Sequence, residues 1–121
     1  FYQYQGESDK AAVQMSQSRV AVEQTELTIR NEVVSALAIW RSSDRILQRF
    51  QQGLLEEATT VRNSAELAYS RGATSLLDLI EAQRSYKNIM RDYYAAMINR
   101  TNAYYDLAKI LAVDLYTERS K

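Results

Sequence analysis

The sequence has no histidine, no cysteine and no proline, and only three glycines. Each absence removes a class of chemistry. Without histidine there is no imidazole base, proton shuttle or histidine-ligated metal. Without cysteine there is no thiolate, zinc knuckle or disulfide, so the redox compartment leaves no mark. Fifteen Lys plus Arg balance fifteen Asp plus Glu, whereas a nucleic-acid partner requires a basic surface. No stretch approaches the roughly 18 consecutive apolar residues of a membrane helix. The longest apolar run, Val33 to Trp40, is interrupted by Ser35. Phe1 follows no initiator Met, and no charged segment leads into an apolar one, so any export signal is expected outside this sequence. An enzyme, a metal site, a cofactor and direct membrane insertion are all unexpected from these residues.

What is present is helical. Proline and glycine are the main helix breakers, and here they reduce to Gly6, Gly53 and Gly72 in 121 residues. The reading is a single all-α domain over residues 1–121, with a long helix over about 8–70, a turn over 71–75 and a return helix over about 76–113. Ser8 is the expected N-cap of the first helix, with Asp9 favourably placed against its dipole. Tyr2, Gln3 and Tyr4 are compatible with the tail of a strand. Gly53 lies inside a periodic stretch, where it costs about 1 kcal/mol relative to alanine without ending the helix. Gly72 suits the left-handed position that closes a helix. Ser75, three residues before Asp78, is the expected start of the next one. At about 1.5 Å per residue the two helices span roughly 95 and 57 Å, lengths typical of coiled coils and helical arrays.

Both helices carry heptad-like stripes. The first reads Val33, Leu37, Trp40, Asp44, Leu47, Gln51, Leu54, Ala58, Val61, Ala65 and Ala68. The second reads Leu76, Leu79, Gln83, Tyr86, Met90, Tyr93, Met97, Arg100, Tyr104, Leu107 and Leu111. If the chain folds back at Gly72, residues equally distant from that glycine should face each other. Ala68 then meets Leu76, Ala65 meets Leu79, Ala58 meets Tyr86, Leu54 meets Met90 and Leu47 meets Met97. Small residues face large ones, as dense packing requires. The two charged members of the stripes, Asp44 and Arg100, also fall opposite each other, which predicts an ion pair across an antiparallel hairpin. Two exposed polar residues facing elsewhere are the plainer alternative. Residues 8–32 lie beyond the return helix, yet Val13, Val20, Leu27 and Val34 keep an apolar spacing of seven, with Val22 and Ile29 on another face. Such surface calls for further helices.

The segment Ala65 to Tyr86 carries a more specific pattern. Tyr69, Gly72, Asp78, Leu79, Ile80, Glu81, Ala82 and Gln83 resemble the motif around the second periplasmic hairpin of TolC-like outer-membrane efflux proteins. Gly6-Glu7 and Gly53-Leu54-Leu55 are similar to that family as well. The resemblance implies a fragment of a trimeric α-barrel, without the β-barrel strands that sit in the outer membrane. The long helix would then descend the periplasmic tunnel and the shorter one return partway, forming tunnel wall and tip gate. The partners implied are a periplasmic adaptor protein and an inner-membrane transporter, with the parent protein a homotrimer in the outer membrane. A free-standing coiled-coil scaffold that binds partner helices is the alternative function.

The resemblance also places residues. Asp78 and Glu81, three apart on one helical face, fall at the tunnel constriction, where carboxylates from three subunits would repel one another and attract cations. On their own terms Asp78 only caps a helix and Glu81 is a solvated charge. Tyr69 aligns with a gating tyrosine, or else packs under the turn. Arg71, Gly72, Ala73 and Thr74 form the tip that the adaptor would contact, although a simple helix turn needs no partner. Thr74 stands where some relatives carry an arginine that latches the gate. The tyrosines Tyr86, Tyr93, Tyr94, Tyr104 and Tyr105 have helical spacing and are expected to fill inter-helix space. Met15, Met90 and Met97 are too scattered for a soft-metal site.

Overall fold

A computed structural model describes residues Tyr2 to Ser120. The chain forms helix α1 (Tyr2–Arg49), a π-helical turn (Phe50–Leu54), helix α2 (Leu55–Ser70) and helix α3 (Leu76–Arg119), with no strand among the described residues. Helices α1 and α2 run one after the other along the same side of α3, so the molecule is a long antiparallel hairpin closed at residues 71–75.

Both outer ends differ from the sequence reading. Tyr2, Gln3 and Tyr4 belong to α1 and form no strand, and Ser8 is an interior helical residue rather than an N-cap. Gly6 does not start the helix either; it is a weak breaker flanked by residues with no stronger alternative. Helix α3 also continues past Val113 to Arg119, since nothing between them is a glycine or proline.

The interface is narrow. Its buried residues are Ala36, Leu47, Ala58, Ala96 and Ala103, four alanines and one leucine. Small side chains at the seam permit close helix approach. A line of buried and half-buried positions on α3 runs Leu79, Ala82, Tyr86, Ile89, Tyr93 and Ala96, then Ala103, Leu107, Ile110 and Asp114, with half-buried Met90, Met97 and Thr117 beside it. With exposed Arg100 filling the gap, these steps alternate strictly between three and four. The matching line on α1 is Ile29, Val33, Ala36, Trp40, Ser43, Leu47 and Phe50. It crosses the hairpin at the ring pair of Phe50 and Tyr93, whose centroids lie 5.9 Å apart.

Beyond Phe50 the line slips. On α2 the covered residues are Leu55, Ala58, Thr59, Arg62, Ala65 and Ala68, so the step from Phe50 to Leu55 is five where the repeat demands four. The extra residue is taken up in the π turn, where the Leu55 N–H donates to the Phe50 carbonyl and Gly53 has φ 158° and ψ −24°. This corrects the expected stripe. Gln51, Leu54 and Val61 are exposed, and so are Leu76, Gln83, Tyr104 and Leu111 on the return helix. Gly53 does more than weaken a helix: it permits a backbone geometry that a residue with a Cβ avoids.

Fold-back about Gly72 holds along the hairpin. Ala58 and Tyr86 line one groove between the helices. Further up, Arg100 Nε donates to Asp44 Oδ1 at 2.8 Å. The other carboxylate oxygen of Asp44 accepts from Gln48 Nε2 at 3.0 Å. Tyr86 and Tyr93 do sit half-buried in the seam, but Tyr94, Tyr104 and Tyr105 are exposed. Each is displaced because a neighbour on the strict line, Tyr93 or Ala103, takes the inward position.

Candidate functional site

The closed end of the hairpin is built from local hydrogen bonds. Helix α2 ends in a Schellman motif. The Ala73 N–H donates to the Ala68 carbonyl at 2.8 Å and the Gly72 N–H to the Tyr69 carbonyl at 2.9 Å. Gly72 supplies the required left-handed conformation, with φ 73°, at no steric cost. Ser70 Oγ adds a bond to the Leu67 carbonyl at 2.7 Å. Three residues after Gly72, Ser75 adopts an extended conformation and caps α3, its Oγ accepting from the Asp78 N–H at 3.2 Å. The two helices are thus each terminated within the turn, and the reversal needs no contact from outside.

This arrangement sets out the candidate residues. Arg71, Gly72 and Ala73 are exposed at the apex. Tyr69 is also exposed, at 42%, on the last turn of α2. Asp78 lies in the first turn of α3, where the helix dipole favours its negative charge, and Glu81 follows one turn on. Both are exposed to solvent. Within one chain they form an open pair of carboxylates, and among the described residues no cluster of three or more potential ligands could hold a metal ion. Thr74 differs from its neighbours. It is half-buried, and its Oγ1 is enclosed without a hydrogen-bond partner. No residue type or spacing in the sequence signals this orphan hydroxyl, because it depends on how the turn folds over.

Below the apex lies a second polar element that the stripes missed. Arg62 occupies a seam position, its guanidinium 4.2 Å from the centre of the Tyr86 ring. Its Nη2 donates to Asn63 Oδ1 at 3.1 Å, and Glu66 lies 3.9 Å away. The ring explains the position: an arginine can cover apolar surface with its stem while its planar head stacks on an aromatic face. The pair Asp44–Arg100 is far from the apex and belongs to the shaft of the hairpin.

A hairpin of very unequal arms, closed by a capped turn with two carboxylates beside it, is a specific shape to compare with known families. The family model described as outer membrane efflux protein matches residues 3–113. The chain belongs to the outer membrane efflux protein family. The match covers α1, the π turn, α2, the apex and most of α3. Neither a curated protein nor a solved structure gives a significant match. The role of this efflux family is transport out through the outer membrane. No helix among the described residues of this member is long and apolar enough to cross a membrane.

Proposed function

We propose that this chain is a stave of the periplasmic tunnel in a trimeric outer-membrane export channel, with the apex at residues 71–75 as its gate end. The observation that carries the reading is the position of Asp78 and Glu81. They stand exposed at the start of α3, beside a self-contained turn, inside the matched region. Three copies brought together at this end would converge six carboxylates on one aperture. Such a ring repels itself, draws cations toward the opening and disfavours anions. The exposed apex residues Arg71, Gly72 and Ala73, with half-buried Thr74 beside them, are then the surface for a periplasmic adaptor protein. An inner-membrane transporter supplies energy and cargo recognition.

The large apolar residues left uncovered by α3 support the same reading. Val13, Val20, Leu27 and Val34 on α1, and Ile98, Val113 and Leu115 on α3, are exposed. Scattered apolar residues are ordinary on a protein surface, but long unpartnered stripes mark sites of association. In a tunnel wall they meet adjoining helices.

The test uses the parent channel reconstituted in a planar bilayer. Replacing Asp78→Asn and Glu81→Gln together should abolish block by a polyvalent cation added on the periplasmic side while leaving the channel able to open. Unchanged block would remove these residues from the aperture. A cysteine at Ala73 should cross-link to the adaptor in cells. A chain that assembles helices but leaves export unchanged when deleted would instead be a coiled-coil scaffold.

A further inference from the structure

We propose that the π turn at Gly53 is a register switch, allowing α2 and the apex to seat on α3 in two alternative alignments. It concerns the hairpin itself and stands apart from the export reading.

The inference starts from the slip in the seam. Up to Phe50 the covered line follows the heptad, and after Leu55 it resumes one residue late. Had the α-helix continued unbroken, the line would have passed through Leu54, Glu57, Val61 and Ser64 to Ala68, which is half-buried in the observed register as well. Two of these are sizeable apolar residues that the observed register leaves exposed, Leu54 at 38% and Val61 at 54%. Leu54 is close to being covered already, and Val61 borders the same groove. Leu54, Glu57, Ala58 and Val61 share one groove with Ala82, Tyr86 and Ile89 of α3. Residues of both lines therefore border the same furrow. Moving between the lines shifts α2 by one residue, which is a rotation of about 100° and an advance of about 1.5 Å.

The two alignments bury different chemistry. The observed one inserts Leu55, Ala58, Arg62 and Ala65, with Arg62 stacked on Tyr86. The alternative inserts Leu54 and Val61, at the expense of bringing Glu57 toward Tyr86. Neither sequence line is wholly apolar, so neither excludes the other strongly.

Gly53 is the residue on which the choice turns. Its φ of 158° with ψ −24° lies outside the helical region, and it holds the extra residue in place. A Cβ built at Gly53 meets nothing within 4 Å. Alanine there is opposed by the backbone alone, and it favours closure of the π turn into plain α-helix. π turns within α-helices recur at sites where a helix must adjust.

The chain contains no cysteine, so paired cysteines can report the register directly. Ala65→Cys with Leu79→Cys reads the observed alignment, and Ser64→Cys with Leu79→Cys reads the alternative. In the otherwise unaltered chain, oxidation should favour the first pair. Adding Gly53→Ala should reverse the ratio of the two disulfides, by about tenfold for a backbone penalty of ordinary size. Deleting Gln52 supplies the converse. It removes the inserted residue, so the first pair should persist in a continuous helix and the second should disappear. The proposal is overturned if Gly53→Ala keeps the original ratio, if it loses both disulfides along with helical circular dichroism, or if deletion of Gln52 abolishes the first pair.

Discussion

The Asp44–Arg100 contact illustrates how little a short distance guarantees. At 2.8 Å, with Asp44 also accepting from Gln48, its geometry is good. The arginine side chain is nonetheless nearly half exposed, and solvent screens such a pair. A double-mutant cycle with Asp44→Ala and Arg100→Ala should give a coupling of about 0.5 to 1 kcal/mol, smaller in high salt. Zero coupling in low salt would mean that the pair only marks the register. Gly72 carries more weight. Gly72→Ala forces an ordinary residue into the left-handed region and should destabilise the hairpin by about 1 to 2 kcal/mol in urea unfolding. Ser75→Ala removes the cap of α3 and should cost about 1 kcal/mol in the same measurement.

Elements divide by what supports them. Helix α3 has a partner along nearly its full length, whereas α1 outruns it: the first half-buried residue along α1 is Ile29. From Tyr2 to Gln24 every described residue is exposed. Hydrogen exchange in the isolated chain should therefore be fast over this stretch and slowest around Leu47 and Ala96, where local opening breaks the seam. Equal protection along α1 would show that another chain covers it in solution. Leu47→Ala should cost about 2 kcal/mol, the low end for a buried leucine, because a two-helix seam can partly collapse onto the gap. What was legible in the sequence follows the range of the signals. Gly72 and Ser75 act over three to five residues, so the turn was plain. The hairpin followed because two long stripes had a single glycine between them. The one-residue slip was hidden, since Leu54 and Leu55, like Val61 and Arg62, are adjacent and each line reads as plausible. Only the requirement that both halves of the long arm meet one continuous α3 decides between them. The start of α1 was misread at Ser8 because a good capping residue is an opportunity and not an instruction.

At the scale of the whole molecule, family membership points to transport, while the proposed role of Asp78 and Glu81 requires several copies to meet. In the sequence the pair was legible only through the family resemblance, because on the proposed reading two solvated carboxylates would act as a filter through symmetry, and symmetry is not written in the residues of one subunit. The alanine-lined seam has a mechanical corollary. Two rods held side by side form a strap, stiff against bending in the plane that contains both and compliant in the direction across it. Keeping the rods close makes the strap thin. Such a body can be wound lengthwise around a cylinder with little deformation, while resisting any force that would splay it sideways.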